Sequence, residues 1–115
     1  MSQQTINGYS VTHVRGVITL TRNGGLMRFT TGECEPIRQI VNIALSMESL
    51  KALPPEINNG RFTVQFKEND TLGLSANDGR EGALGFTWSE GDELILTLDA
   101  AQGIALNALK LGIPL

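Results

Sequence analysis

An α+β fold, with two antiparallel β-meanders each followed by one helix, is the class this sequence predicts. Three observations carry it. β-branched apolar runs flank an Asn-Gly pair at Asn23 and Gly24; strict apolar–polar alternation recurs in short segments after residue 60; and in each half the period shifts from two to the helical 3.6. A chain of 115 residues is the size of one domain, 1–115, able to bury roughly two thirds of its unfolded surface. A Pro- and Asn-rich seam, "LPPEINNG", divides it into candidate halves, 1–53 and 58–115.

Taken in order, "SVTHV" and "GVITLT" read as strands. In "RNGG" both central residues of a type I′ turn need positive φ, which Asn-Gly supplies, so Val17–Thr21 is expected to pair with Leu26–Thr30. From Ile37 the apolar residues Ile37, Ile40, Val41, Ala44 and Met47 fall on one helical face. Thr31 is the expected N-cap, Glu33 and Glu35 suit the positive end of the helix dipole, and Pro36 is tolerated because first-turn N–H groups are unpaired anyway. The paired prolines then end the helix.

Beyond the seam, "RFTVQFKE", "TLGLSA", "LGFTW" and "ELILTL" each alternate, with Phe62, Val64, Phe66, Leu72, Leu74, Leu84, Phe86, Trp88, Leu94, Leu96 and Leu98 on the apolar side. The breaks "ENDT", "NDGREG" and "SEGDE" have hairpin-loop composition. Four such strands form a meander, and a helix starting near Asp99 is expected to cover its apolar face with Ala101, Ile104, Ala105, Ala108 and Leu109. Setting Phe29 on Leu96 places Thr30 on Thr97 and Ile37 on Ile104, so both halves read strand, cap, helix. An internal pseudo-repeat is one explanation; the other is that strands followed by a helix are common in α+β domains.

The unit "ELILTLDAAQGIALNAL" resembles the closing unit of the single-stranded-DNA-binding transcriptional regulator superfamily, which includes positive cofactor four and the Whirly proteins. The resemblance rests on element order over most of the chain. It implies a curved four-stranded sheet followed by a helix, twice in the Whirly case, and single-stranded nucleic acid as partner. The chain departs from Whirly proteins in lacking their Lys-Gly-Leu-Gly-Lys-type basic motif.

Charge bears on that partner. The net charge is −3; residues 1–57 carry five cations against four carboxylates, whereas the remainder carries four against eight. No strong field over phosphates follows from this balance. The candidate nucleic-acid contacts are Arg15, Arg22, Arg28, Arg61 and Lys67. His13, Arg15, Thr19, Thr21, Arg28 and Thr30 are expected on one polar sheet face near Tyr9, while every ring of the second half falls in phase with the core.

Catalysis finds no constellation. His13, the sole imidazole, reads as a surface strand residue without a nucleophile beside it, and Cys34 near a helix start reads as a small buried side chain more readily than as a reactive thiol. One Cys and one His build no zinc cage, and the acidic loops lack calcium-loop spacing. The expectation is a non-enzyme with no metal and no cofactor. Ile43, Leu45 and Leu50, together with Leu111, Ile113 and Leu115 of the tail, exceed what one helix face needs and point to a homo-oligomer interface. No apolar run spans a membrane, and the polar opening residues make the cytoplasm the expected location. The alternative to nucleic-acid binding is an oligomeric adaptor for a protein or small ligand.

Overall fold

The computed structural model describes residues 2–76 and 83–110. It contains two four-stranded antiparallel sheets, each followed by a 3₁₀ turn and one α-helix, so the predicted class holds and the ββββα unit occurs twice. The first sheet is a meander of β1 (Ser2–Ile6), β2 (Tyr9–Val14), β3 (Val17–Arg22) and β4 (Gly25–Thr30). The expected pairing across Asn23 and Gly24 is present, with Thr21 opposite Leu26 and Val17 opposite Thr30. β1 was not foreseen, because "SQQTI" has almost no apolar content and forms an edge strand supported by β2 alone.

All three turns of this sheet are two-residue turns with both φ angles positive: Asn7-Gly8 (52°, 83°), Arg15-Gly16 (50°, 85°) and Asn23-Gly24 (52°, 83°). These are type I′ turns, whose twist matches that of the strands they join. They fix the register, so that Tyr9, Val11, His13, Ile18, Leu20, Met27 and Phe29 share the buried face. His13 therefore corrects the sequence reading. It is 2% exposed, in phase with Val11, and its Nε2 accepts the Gly16 N–H at 2.8 Å.

Helix α1 (Cys34–Ser46) follows the 3₁₀ turn Thr31–Glu33. The residue that caps the turn is Thr30 rather than Thr31, and its N–H donates to the Glu33 carboxylate at 2.9 Å. α1 buries Cys34, Ile37, Ile40, Val41 and Ala44; Met47, placed on that stripe by spacing, is only partly buried at the C-cap.

The second sheet comprises β5 (Glu56–Asn59), β6 (Phe62–Phe66), β7 (Thr71–Ala76) and β8 (Ala83–Thr87). β5 lies inside the seam that composition assigned to a linker, joined to β6 through a turn at Gly60 and Arg61. The largest correction concerns "ELILTL", which is not a strand. Helix α2 runs from Gly91 to Lys110, starting eight residues before Asp99, and buries Leu94, Thr97, Leu98, Ala101, Ala105 and Ala108. Leu96 and Leu109 are 60% and 47% exposed. A short apolar run satisfies both periods, and the deciding signal is upstream: the Thr87 N–H donates to the Glu90 carboxylate at 2.9 Å, the same arrangement as Thr30 with Glu33.

The repeat is therefore real in architecture but in another register. Thr30 corresponds to Thr87, and the same offset takes Met27, Phe29, Cys34, Ile37, Ile40, Val41 and Ala44 to Leu84, Phe86, Gly91, Leu94, Thr97, Leu98 and Ala101, all buried. Packing also departs from expectation. α1 lies against β5 and β6, and α2 against β2, β3 and β8, so the helices cross over to the other half's sheet and touch one another. Two glycines permit the closest approaches. A Cβ on Gly91 would fall 2.3 Å from Leu45 Cδ2, and one on Gly25 would fall 2.2 Å from the Ala83 carbonyl oxygen, where β4 runs beside β8.

Candidate nucleic-acid interface and cross-half ion pairs

The outward face of the first sheet is rich in hydroxyls. Thr12 sits opposite Thr19 and Thr19 opposite Arg28; Ser10 sits opposite Thr21. Arg28, in the edge strand β4, is exposed. Arg15 is exposed at the β2–β3 turn, whose Gly16 carbonyl accepts the Thr31 N–H at 3.3 Å. Arg61 donates from Nη2 to the Arg28 carbonyl at 3.0 Å. The fold thus brings Arg15, Arg28 and Arg61 to the end of the sheet where β4 leaves it.

Arg22 and Lys67 stand apart from them. Arg22 ends β3 opposite Gly25, at the other end of β4 from Thr30, and borders a cleft of about 270 Å³ with Asn23, Gly25, Gly85 and Glu90. Lys67 follows β6 on the second sheet and lies along Gly73, where a Cβ would be 3.1 Å from its Cε. The five cations do not form one track.

Two of the five also have a structural task that no sequence pattern announced. Arg61 grips Glu33 through Nε and Nη2 at 2.5 and 2.8 Å, and Arg22 Nη2 donates to Glu90 at 2.8 Å. Glu33 and Glu90 are the two capping glutamates, and each is paired with an arginine of the other half. The Arg61 guanidinium, helped by the Thr30 N–H, holds the Glu33 carboxyl down at about 2; the Thr87 N–H and Arg22 likewise hold Glu90 below the usual carboxylate range. Arg22 further stacks over Tyr9, 4.7 Å from its ring centroid, and Arg61 over Phe62 at 4.6 Å. Burial of Tyr9 pushes its phenol up, and its hydroxyl has no hydrogen-bond partner among the described residues.

The outward positions of both sheets, as described, carry no aromatic side chain. Phe66 and Trp88, assigned to the core by alternation, are only partly buried and stack on one another with centroids 5.9 Å apart. Trp88 lies outside β8, opening the 3₁₀ turn Trp88–Glu90. Ile95 and Thr97, which alternation with Leu94, Leu96 and Leu98 would place on the outward side of a strand, are helical instead, and Thr97 is buried with its hydroxyl donating to the Glu93 carbonyl at 2.7 Å.

Cys34 is buried in the first turn of α1 and its thiol is pushed up to about 11 by burial, which keeps it protonated and unreactive. Among the described residues no three His, Cys, Asp or Glu side chains gather where a metal could bind, and no helix is long and apolar enough to cross a membrane. Of the expected oligomer contacts, Ile43 and Leu50 are about half exposed, whereas Leu45 is partly buried and packs near Gly91. Leu111, Ile113 and Leu115 lie outside the described residues. Compared with protein-family models, with curated proteins and with solved structures, the chain matches none.

Proposed function

We propose that this protein is a non-catalytic binding module, and that the hydroxyl-rich face of its first sheet contacts single-stranded nucleic acid in the Whirly-like manner through Arg15 and Arg28. The observation that carries this reading is Arg15. The three turns of the first sheet are conformationally equivalent, two use Asn-Gly, and the third holds an arginine at φ 50°. Asparagine enters that region easily and arginine does not, so the turn keeps a long cation at a conformational cost. Local strain of this kind is characteristic of functional positions. The row Thr12–Thr19–Arg28 beside it offers further donors to phosphate oxygens.

With no aromatic side chain at the described outward positions of the sheets for base stacking, such contact would be sequence-tolerant and salt-sensitive. Two phosphate contacts, from Arg15 and Arg28, give an expected slope of log K against log salt of about −1.4 on a single strand. The test is titration of a labelled single-stranded oligonucleotide at low and moderate salt. Arg28→Ala is expected to weaken binding, and absence of binding at low salt would end the proposal. Arg15→Asn is expected to stabilise the fold by about 0.5–1 kcal/mol while lowering affinity.

The second reading is an oligomeric adaptor without a nucleic-acid role. Its support is that Arg22 and Arg61 are engaged in ion pairs while Ile43 and Leu50 expose apolar surface on and beyond α1. Light scattering tests it: a strict monomer at all concentrations removes it.

A further inference from the structure

A second concave site adjoins the Arg22 cleft, sharing Thr87 with it, and the charged side chains among its described lining residues are carboxylates. Where β8 ends, Trp88 forms one wall of a cleft of about 610 Å³ that also meets Leu53, Glu48, Asn69 and Asp70. Among the described residues no cationic side chain lines it. The Phe66 ring stacks against the indole at an interplanar angle of 22° and holds it in place. Asp70 sits in the tight β6–β7 turn with φ 58°, and Glu48 comes from the chain just after α1, so two separate segments each bring a carboxylate to the rim.

We propose that this cleft receives the cationic head of an arginine or lysine side chain presented by a partner polypeptide. The indole face carries the negative lobe of the ring quadrupole, and tryptophan is the strongest aromatic partner for a cation. Glu48 and Asp70 add Coulombic attraction at the rim, and Leu53 supplies an apolar surface for the aliphatic stem that both cationic side chains possess. A guanidinium fits best, because it stacks flat on an aromatic ring and still directs N–H groups to carboxylates. A phosphate would meet repulsion here, so the cleft is not an extension of the nucleic-acid reading and does not rest on it.

Trp88 is the chain's sole tryptophan, so its emission reports on this site directly. The experiment is a low-salt titration of the full chain with an acetylated, amidated Gly-Arg-Gly peptide, set against the same peptide with citrulline, which matches arginine in shape and lacks its charge. A saturable change in Trp88 emission is expected with the arginine peptide and not with the citrulline peptide. Asp70→Asn and Glu48→Gln are each expected to weaken binding about threefold, and the double variant about tenfold. Asparagine is at ease at positive φ, so Asp70→Asn retains the turn, and an unchanged melting temperature verifies this. No saturable change, an equal response to citrulline, or unaltered affinity in the folded double variant would overturn the proposal. The oligonucleotide titration is unaffected by any of these results.

Discussion

Single residues set the tightest constraints where backbones meet. At Gly91 the obstacle to a Cβ is the Leu45 side chain, whereas at Gly25 it is the Ala83 backbone, which has no rotamer to change. Gly91→Ala is therefore expected to cost about 1–2 kcal/mol, partly offset by alanine's helix propensity, and Gly25→Ala about 3 kcal/mol. Leu45→Ala should recover part of the first loss and none of the second, measured by denaturant unfolding of the single and double variants. Glu33 governs the acid limb. Its folded-state pKa, about 2, lies below the ordinary value of 4.5, so the Arg61 pair contributes stability that is full above pH 4.5 and is lost as pH falls toward 2. Glu33→Gln should flatten that part of the stability–pH curve, with a loss near neutral pH of about 1–2 kcal/mol because the pair is partly solvated. Neither glycine contact nor ion pair was legible beforehand, since each joins residues far apart in sequence.

At the scale of elements, the contest between strand and helix at Glu93–Leu98 shows what short patterns leave open. Leu94, Leu96 and Leu98 alternate as a half-buried strand would, but Leu94, Thr97, Leu98 and Ala101 equally mark one helical face. The Thr87–Glu90 capping box resolves the choice, and its spacing was present in the sequence, identical to Thr30–Glu33. A substitution pair checks the assignment. Leu96→Glu should be tolerated within about 0.5 kcal/mol at its exposed position, whereas Leu98→Glu buries an unpaired carboxylate and should prevent folding at neutral pH. A strand would make the two equally damaging. β1 and β5 escaped sequence reading for a different reason: both are polar edge strands, defined by backbone pairing to one neighbour and not by an apolar face.

On the scale of the whole molecule, the crossing of the helices makes the halves interdependent. α1 covers β5 and β6, α2 covers β2 and β3, and Arg38 on α1 pairs with Asp99 on α2. Fragments 1–53 and 54–115 should each lack cooperative unfolding alone, because each sheet would lose the helix that buries its apolar face, and should regain it when mixed. Circular dichroism melts of the separate and combined fragments test this; a cooperative melt of either fragment alone would contradict it. Local sequence determined the class, the Asn23-Gly24 hairpin, the helical stripe of α1, the alternation in β6 to β8 and the approximate duplication, because turn chemistry and side-chain period act over a few residues. Tertiary structure alone decided which sheet each helix covers, that Arg22 and Arg61 clamp the opposite half's capping glutamates, and that Trp88 borders a cleft. Those outcomes depend on distances between segments some 30 to 70 residues apart, and no local pattern encodes which distant surface an amphipathic element will meet.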